Sequence, residues 1–329
     1  MKFIKILVFF FVISSMAYAA FPPEIDPIMK LGIEAAQKKD YLQAINFFEE
    51  AQKISPNTAD VYYNLGLAES QIPGRELRAM AWFGAYLVAN PNASNKDAIK
   101  EQIASLDEKS LNTIAALMKF WMEANEKRDQ TQDAKDDTLW RSANLWTSAG
   151  DLVHAKEALA KMSQPLDRVL NPIAFLQIKN GDYAGARETN KLIQTEKWQL
   201  AIDFEIAIAQ RVAGDIAGSD KTIEEAHSSD PDFRKNIQSN VDYQLERINR
   251  AQASTLADWL TLFNPKEPFT VETLLFKDVD TYIKTLLKPV YYDNQRHEED
   301  EAGVFIQNLE ESIGTVTNMR DHIKEMIKK

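Results

Sequence analysis

Four histidines, His154, His227, His297 and His322, are the chain's only imidazoles. No two of them stand at the i, i+4 spacing that a helix-borne zinc site requires. His297 opens the run His-Glu-Glu-Asp-Glu, which starts as a zinc-peptidase motif does and then lacks the second histidine. We read it as a solvated acidic helix start, favoured by the helix dipole. At most Glu298, Glu299, Asp300 and Glu301 would hold a cation weakly and without selectivity. There is no cysteine, which removes thiolate metal sites, cysteine nucleophiles, disulfides and attachment of lipid to a cysteine. The serines lack a nucleophile elbow, and the 11 glycines are scattered rather than gathered into a phosphate loop. Among 49 acidic residues no pair is marked by its surroundings as an acid/base couple. No catalytic residue, metal ligand or cofactor site is therefore assigned. Trp121, Trp140 and Trp146 fall on apolar helical faces and read as core. Tyr291 and Tyr292, beside a polar run, read as loop packing.

With no chemistry to position, the elements themselves carry the information. Gly at 11 and Pro at 12 are scarce for 329 residues, and both oppose helix interiors, so an all-helical fold is expected. A hydrophobic fraction of 45% against 26% charged residues supports a packed core. The formal net charge of -11 repels phosphates and argues against a nucleic-acid partner.

The first residues, MKFIKILVFFFVISSMAYAA, combine a short basic head (Lys2, Lys5), an apolar run from Phe3 to Ile13 and the small-residue site Ala17-Tyr18-Ala19. That is the layout of a secretory signal peptide, residues 1–19, cleaved after Ala19. The apolar run is shorter than the roughly 20 residues a spanning helix needs, so no stable membrane insertion is expected after cleavage. Removing the peptide takes away Lys2 and Lys5 and leaves the acidic residues untouched, so the mature chain is more negative still. Export without any cysteine suggests a bacterial periplasm or exterior.

Two copies of one pattern follow. Leu31-Gly32 leads to Ala44, Phe48, Ala51 and Pro56. Leu65-Gly66 then leads to Ala79, Phe83, Tyr86 and Pro91, in the same register once one extra residue is allowed in the turn QIPGRE. Each residue type has a reason. Gly lets a neighbouring helix approach, small residues answer it from the second helix, the aromatic fills the gap, and Pro ends the unit. Further along, a turn of Gly, Asp and an apolar residue recurs at near-constant intervals, at Gly150, Gly181 and Gly214, followed by Ala155, Ala186 and Ser219 respectively. Lys39-Asp40-Tyr41 is the same turn with Lys in the Gly place, and Pro231 closes the last copy. The Leu-Gly pair becomes Ser142-Ala143, Ile173-Ala174 and Ile206-Ala207.

This pattern resembles the tetratricopeptide repeat family, strongly over residues 25–92 and moderately over 136–233. The resemblance implies a right-handed superhelical solenoid of antiparallel helix pairs with five recognisable repeats. The expected organisation is 22–107 for a repeat pair plus a closing helix carrying Ile99, Ile103 and Leu106, and 108–239 for further helices with divergent repeats. The stretch Asp129–Asp137 is the best place for a flexible boundary, or else the exposed end of a long helix. Residues 240–329 read as a helical region packed on the end of the array, interrupted by Pro265, Pro268 and Pro289.

What the resemblance implies for function is a concave groove, lined by first helices, that holds a peptide segment or partner helix. Met29, Ile33, Tyr63, Asn64 and Leu67 are the candidate groove residues, with Asn64 where family members place an amide on a bound backbone. A carboxylate clamp for chaperone tails is not expected, because Met29, Ile33 and Asp60 are apolar or acidic in that region. An apolar groove on an acidic chain suits a basic or apolar protein segment. The expected role is a non-catalytic scaffold or adaptor of the cell envelope. The alternatives are an accessory or glycan-binding subunit of an envelope complex, and an enzyme whose site lies in the C-terminal region.

Overall fold

In the computed structural model, residues 21–128, 131–226, 232–250, 253–263 and 298–328 are described, and they form fourteen α-helices and no strand. The expected signal peptide, His227, Pro231, Pro265, Pro268, Pro289, Tyr291, Tyr292 and His297 lie outside them. The first ten helices in chain order are α1 Asp26–Gln37, α2 Tyr41–Ile54, α3 Ala59–Glu69, α4 Glu76–Ala89, α5 Lys96–Arg128, α6 Gln132–Ser148, α7 Leu152–Lys161, α8 Asp167–Lys179, α9 Tyr183–Asn190 and α10 Glu196–Val212. Then come α11 Ile216–Glu225, α12 Phe233–Arg250, α13 Leu256–Thr261 and α14 Glu298–Lys328. The closest packing is within α1–α2, α3–α4, α6–α7, α8–α9 and α10–α11. Short turns between helices that lie side by side make these pairs antiparallel.

The recurring turn has one geometry. Lys39, Gly150, Gly181 and Gly214 all have positive φ, at 62°, 76°, 77° and 84°. The Asp that follows each sends its N–H back into the preceding helix, to the carbonyls of Ala35, Trp146, Gln177 and Gln210, at 2.8–2.9 Å. That is the Schellman closure of the first helix. The same Asp then caps the second helix: Asp40, Asp151, Asp182 and Asp215 accept from the N–H of Gln43, His154, Gly185 and Gly218. Lys39 is the only non-glycine with positive φ among the described residues. Lys39→Gly should therefore raise stability by up to about 1 kcal/mol, relieving left-handed strain. Gly181→Ala and Gly214→Ala should each cost about 1–2 kcal/mol from strain alone, because an added Cβ meets nothing within 4 Å at either position. Urea midpoints would show both signs.

The crossing residues behave as their sizes dictate. A Cβ on Gly32 would overlap the Phe48 ring, and one on Gly66 would lie 2.7 Å from two atoms of Phe83. Ala44, Phe48, Ala51, Leu65, Ala79, Phe83, Ala155, Ala186 and Ser219 are all buried. So are the replacement pairs Ser142-Ala143, Ile173-Ala174 and Ile206-Ala207. Leu31 differs: it is 46% exposed on the outer side of α1. Pro56 and Pro91 follow helix ends at Ser55 and Asn90, and the Pro56 carbonyl accepts the hydroxyl of buried Tyr62.

Two expectations about organisation change. The closing helix and the helix after it are one 33-residue helix, α5, so the expected boundary at 107/108 falls inside it. No Gly or Pro occurs between Lys96 and Arg128, and the Ser110 hydroxyl is satisfied by the Asp107 carbonyl at 2.7 Å, so nothing interrupts the helix. α12 packs on α10, but α13 and α14 return to the middle of the stack rather than extending its end. α13 packs on α4, and α14 lies across α4, α5 and α6. Leu309, Ile313, Val316, Met319, Ile323 and Met326, spaced three and four apart, form its buried stripe. One continuous core runs from Ile25 to Met326, with smaller clusters around Leu170 to Ile206 and around Ala207 and Ile237.

Two carboxylates close the open ends of hairpins. Asp136, early in α6, accepts from the Ser163 hydroxyl and from the Ser163 N–H at 3.0 Å. Asp167, at the start of α8, accepts from the Thr195 hydroxyl at 2.5 Å and from the N–H groups of Gln194 and Thr195 at 2.9 Å. The Ser163 and Thr195 hydroxyls are the leading reason that both carboxyls titrate below the usual range. Because the folded pKa is depressed, this stabilisation is complete above the unfolded value of about 3.9 and is lost as pH falls through the lower folded value. Melting temperature measured from pH 6 downward should fall below about pH 4, and Asp167→Asn should slightly flatten that acid limb.

Candidate functional site

The expected groove residues sit on α1 and α3, which touch each other. Met29 does not belong with them. Ile25, Met29 and Gly32 form the inward stripe of α1 at i, i+4 and i+7, and Met29 is fully buried. A step of i to i+4 turns a helix about 40° past a full revolution, which places Ile33 on the flank of that stripe instead. Ile33, Tyr63 and Leu67 are half-buried at the edge of the core. The Tyr63 ring lies 5.2 Å from Tyr86 and 6.3 Å from Phe83. Tyr86 donates to Asn95 Oδ1 at 2.7 Å, and burial raises the pKa of both phenols, so they remain neutral hydrogen-bonding groups. Asn64 Nδ2 donates to the Asp60 carbonyl at 2.8 Å. The second amide hydrogen and the side-chain oxygen are what Asn64 can offer a partner.

A second feature is a recess of about 590 Å³ among α9, α10 and α11, lined by Arg187, Asn190, Gln199, Asp203 and Thr222. Its polar groups mostly satisfy one another. Asn190 Nδ2 donates to the Gln199 carbonyl at 3.1 Å and to Asp203 Oδ1 at 2.9 Å. Arg187 donates to Thr222. Thr222 donates to Gln210 Oε1 at 2.8 Å, and Gln210 Nε2 donates to Asp215 at 3.1 Å. The same clip stands one repeat earlier: Thr189 to Gln177 at 2.7 Å, and Gln177 to Asp182 at 3.2 Å. The trio Gln177, Asp182 and Thr189 thus recurs in the next helix pair as Gln210, Asp215 and Thr222, and both trios brace their pairs from inside. Reading the glycines alone passes over them, although Gln one turn before and Thr two turns after both Gly181 and Gly214 are a repeated signal.

Near α4 stands a buried charge that no sequence pattern marks. Glu69, fully buried, is held by Arg75 Nη1 at 2.9 Å and Arg78 Nε at 2.8 Å, and Arg78 reaches Glu49 at 3.3 Å. Phe263 covers the Arg78 guanidinium, 5.8 Å from its ring, and stacks on Trp82 at 3.6 Å. Fully paired, Glu69 locks α3 to α4.

The third feature is a cleft of about 400 Å³ where α5, α6 and α7 meet. Its floor is apolar: Met118, Met122, Leu139, Trp146 and Ala158. His154 forms part of the wall, its ring stacked on Trp146 at 4.5 Å and its Nδ1 2.7 Å from Asp151 Oδ2. Lys119, Glu123 and Glu126 stand on the α5 rim, Glu157 and Lys161 on the α7 rim.

No family model, curated protein or solved structure matches the chain. Among the described residues no group of three His, Asp or Glu could hold a metal, and no helix is long and apolar enough to cross a membrane. The surfaces are thus left to be judged by their own chemistry: a half-buried aromatic and aliphatic edge on α1 and α3, a self-satisfied polar recess, and an open apolar cleft with a charged rim.

Proposed function

We propose that the protein is a non-catalytic interaction scaffold of the bacterial cell envelope, built as a tetratricopeptide-like solenoid and exported by its N-terminal signal peptide. Supporting the repeat reading is the recurrence of one turn, left-handed residue then capping Asp, between the helices of four pairs. Each pair can bury its apolar face only against its neighbours, and such arrays act by presenting a continuous surface. The partner segment lies along the first helices, against Ile33, Tyr63 and Leu67, with Asn64 bonding to its backbone. A glycan-binding role draws less support. Of the six tryptophans that could stack on sugars, Trp82, Trp121, Trp146 and Trp259 are buried, Trp140 is covered by Arg168, whose guanidinium lies 3.8 Å from its ring, and Trp198 is half-buried against the Leu170–Ile206 cluster.

A photo-crosslinking residue placed at position 64 of the exported protein tests this reading. A discrete adduct that disappears in the Tyr63→Ala, Leu67→Ala double variant is expected. An envelope fraction that yields no adduct above background would overturn it.

A further inference from the structure

The cleft between α5 and α7 is a different surface from the first-helix edge. Consecutive helix pairs elsewhere in the chain interlock, but α7 makes no close packing with α5, and α6 touches α5 less than it touches α7. The seam leaves a recess of about 400 Å³ beside α6, open to solvent. Two features point to what fills it. The accessible floor presents the half-buried Ala115, Met122 and Leu139, while Met118 and Trp146 are buried behind them. Methionine adapts its shape to an incoming apolar group, which is why such floors recur where amphipathic helices dock. The rim carries Glu123, Glu126 and Glu157 against Lys119 and Lys161. All five are exposed. Among the described residues no ion pair consumes the three carboxylates, whereas Glu69, Glu188, Glu225 and Glu310 elsewhere are each paired. An excess of free carboxylate around an apolar floor, on a chain of net charge -11, complements a segment that is apolar on one side and basic on the other.

We infer that the trough between α5 and α7 docks a basic amphipathic helix of a partner protein. Apolar side chains one turn apart pack on Met122 and Leu139, and a lysine or arginine from the flank of the same helix sits among Glu123, Glu126 and Glu157. Lys119 and Lys161, on the same rims, disfavour further basic residues beside them and so restrict where the partner's charge can lie. The inference rests on the interaction reading above but uses a separate surface, so the two fail separately: the crosslinker at position 64 does not report on this trough.

The probe is a fluorescein-labelled peptide of leucine and lysine at helical spacing, about four turns long, with a leucine–glutamate peptide as control. Both are titrated into the mature full-length chain by anisotropy. Saturable binding of the lysine peptide alone is expected, weakened about tenfold in Glu123→Gln/Glu157→Gln. Glu50→Gln/Glu101→Gln removes as much charge from exposed positions elsewhere and should change nothing. Met122→Asp should also weaken binding, whereas a role in charge alone would leave it intact. Equal weakening by the two glutamine pairs would overturn the inference by showing diffuse attraction. So would binding of the glutamate peptide, or no saturation up to about 0.1 mM. Sedimentation velocity supplies the remaining outcome: a dimer of this chain that Met122→Asp dissolves would assign the trough to a second copy and overturn the proposal of a separate partner.

Discussion

Arg320→Ala is expected to lower the stability of the protein by about 3 kcal/mol, the lower end of the range for breaking a buried ion pair from one side. Arg320 is 3% exposed on α14. Its Nε lies 2.6 Å from Asp107 Oδ1 on α5 as a charge contact, and its Nη1 donates to the Ala149 carbonyl at 2.5 Å. That carbonyl belongs to the residue that caps α6, where the negative end of the helix dipole favours a cation. One guanidinium thus ties α14 to two helices. Deleting it takes one of the two cations from Asp107 and leaves the Ala149 carbonyl unmet. The cost stays near the lower end because Lys324 still reaches Asp107 Oδ2 at 2.8 Å and the Asp107 side chain retains 21% exposure. Arg320→Lys should recover only part of the loss, since an ammonium cannot span both acceptors with the fork geometry of arginine. Urea denaturation followed by tryptophan fluorescence measures the difference. A loss below about 1 kcal/mol in the alanine variant would show that the pair only balances its own desolvation, and that the apolar stripe alone holds α14 in place.

That clamp also marks where sequence reading ends. The helix pairs are legible because their determinants are local. A left-handed residue followed by Asp dictates a turn at Gly150, Gly181 and Gly214 whatever surrounds it, and Gly32 and Gly66 meet Phe48 and Phe83 of the very next helix. Asp107 and Arg320 stand far apart along the chain, and nothing in either neighbourhood specifies the other. The return of α13 and α14 to α4, α5 and α6 is therefore a tertiary fact without a sequence pattern. Glu69 illustrates a related limit: among 49 acidic residues only the three-dimensional position of Arg75 and Arg78 singles it out. At the candidate groove the discrepancy is one of phase. Ile33, Tyr63 and Leu67 lie at the edge of the core as surface-forming residues should, but Met29, one turn before Ile33, is rotated far enough to become core. The cleft between α5 and α7 is invisible to a reading that places a flexible boundary over 129–137, because that boundary separates Met118 and Met122 from the hairpin they face.

Gly66→Ala and Gly84→Ala should both be costly, but their effects should spread differently. Each glycine receives an aromatic ring where a side chain would be. An added Cβ at Gly66 lies 2.7 Å from Phe83, a fully buried ring in the middle of the continuous core. Neither α3 nor α4 can give way without disturbing the helices stacked on both sides, and overpacking of this kind costs about 1–3 kcal/mol. Its effect should appear as a lowered midpoint for the whole transition. At Gly84 the added Cβ falls under 3 Å from three ring atoms of Trp259, 1% exposed on the short helix α13. α13 packs chiefly on α4, so it can leave as a unit, carrying Trp259 out of its seat and Phe263 off Trp82. The damage is then bounded by the free energy of docking that short helix and should be local. Hydrogen exchange separates the two outcomes. Gly84→Ala should lose protection over residues 253–263 while α1 to α3 keep theirs, and the Arg78–Glu69 pair beneath Phe263 should become accessible to solvent. Protection lost equally across α1 to α4 in both variants would mean that the returning segment and the first repeats fold as one cooperative unit, with Trp259 acting as a keystone of the array rather than a cover upon it.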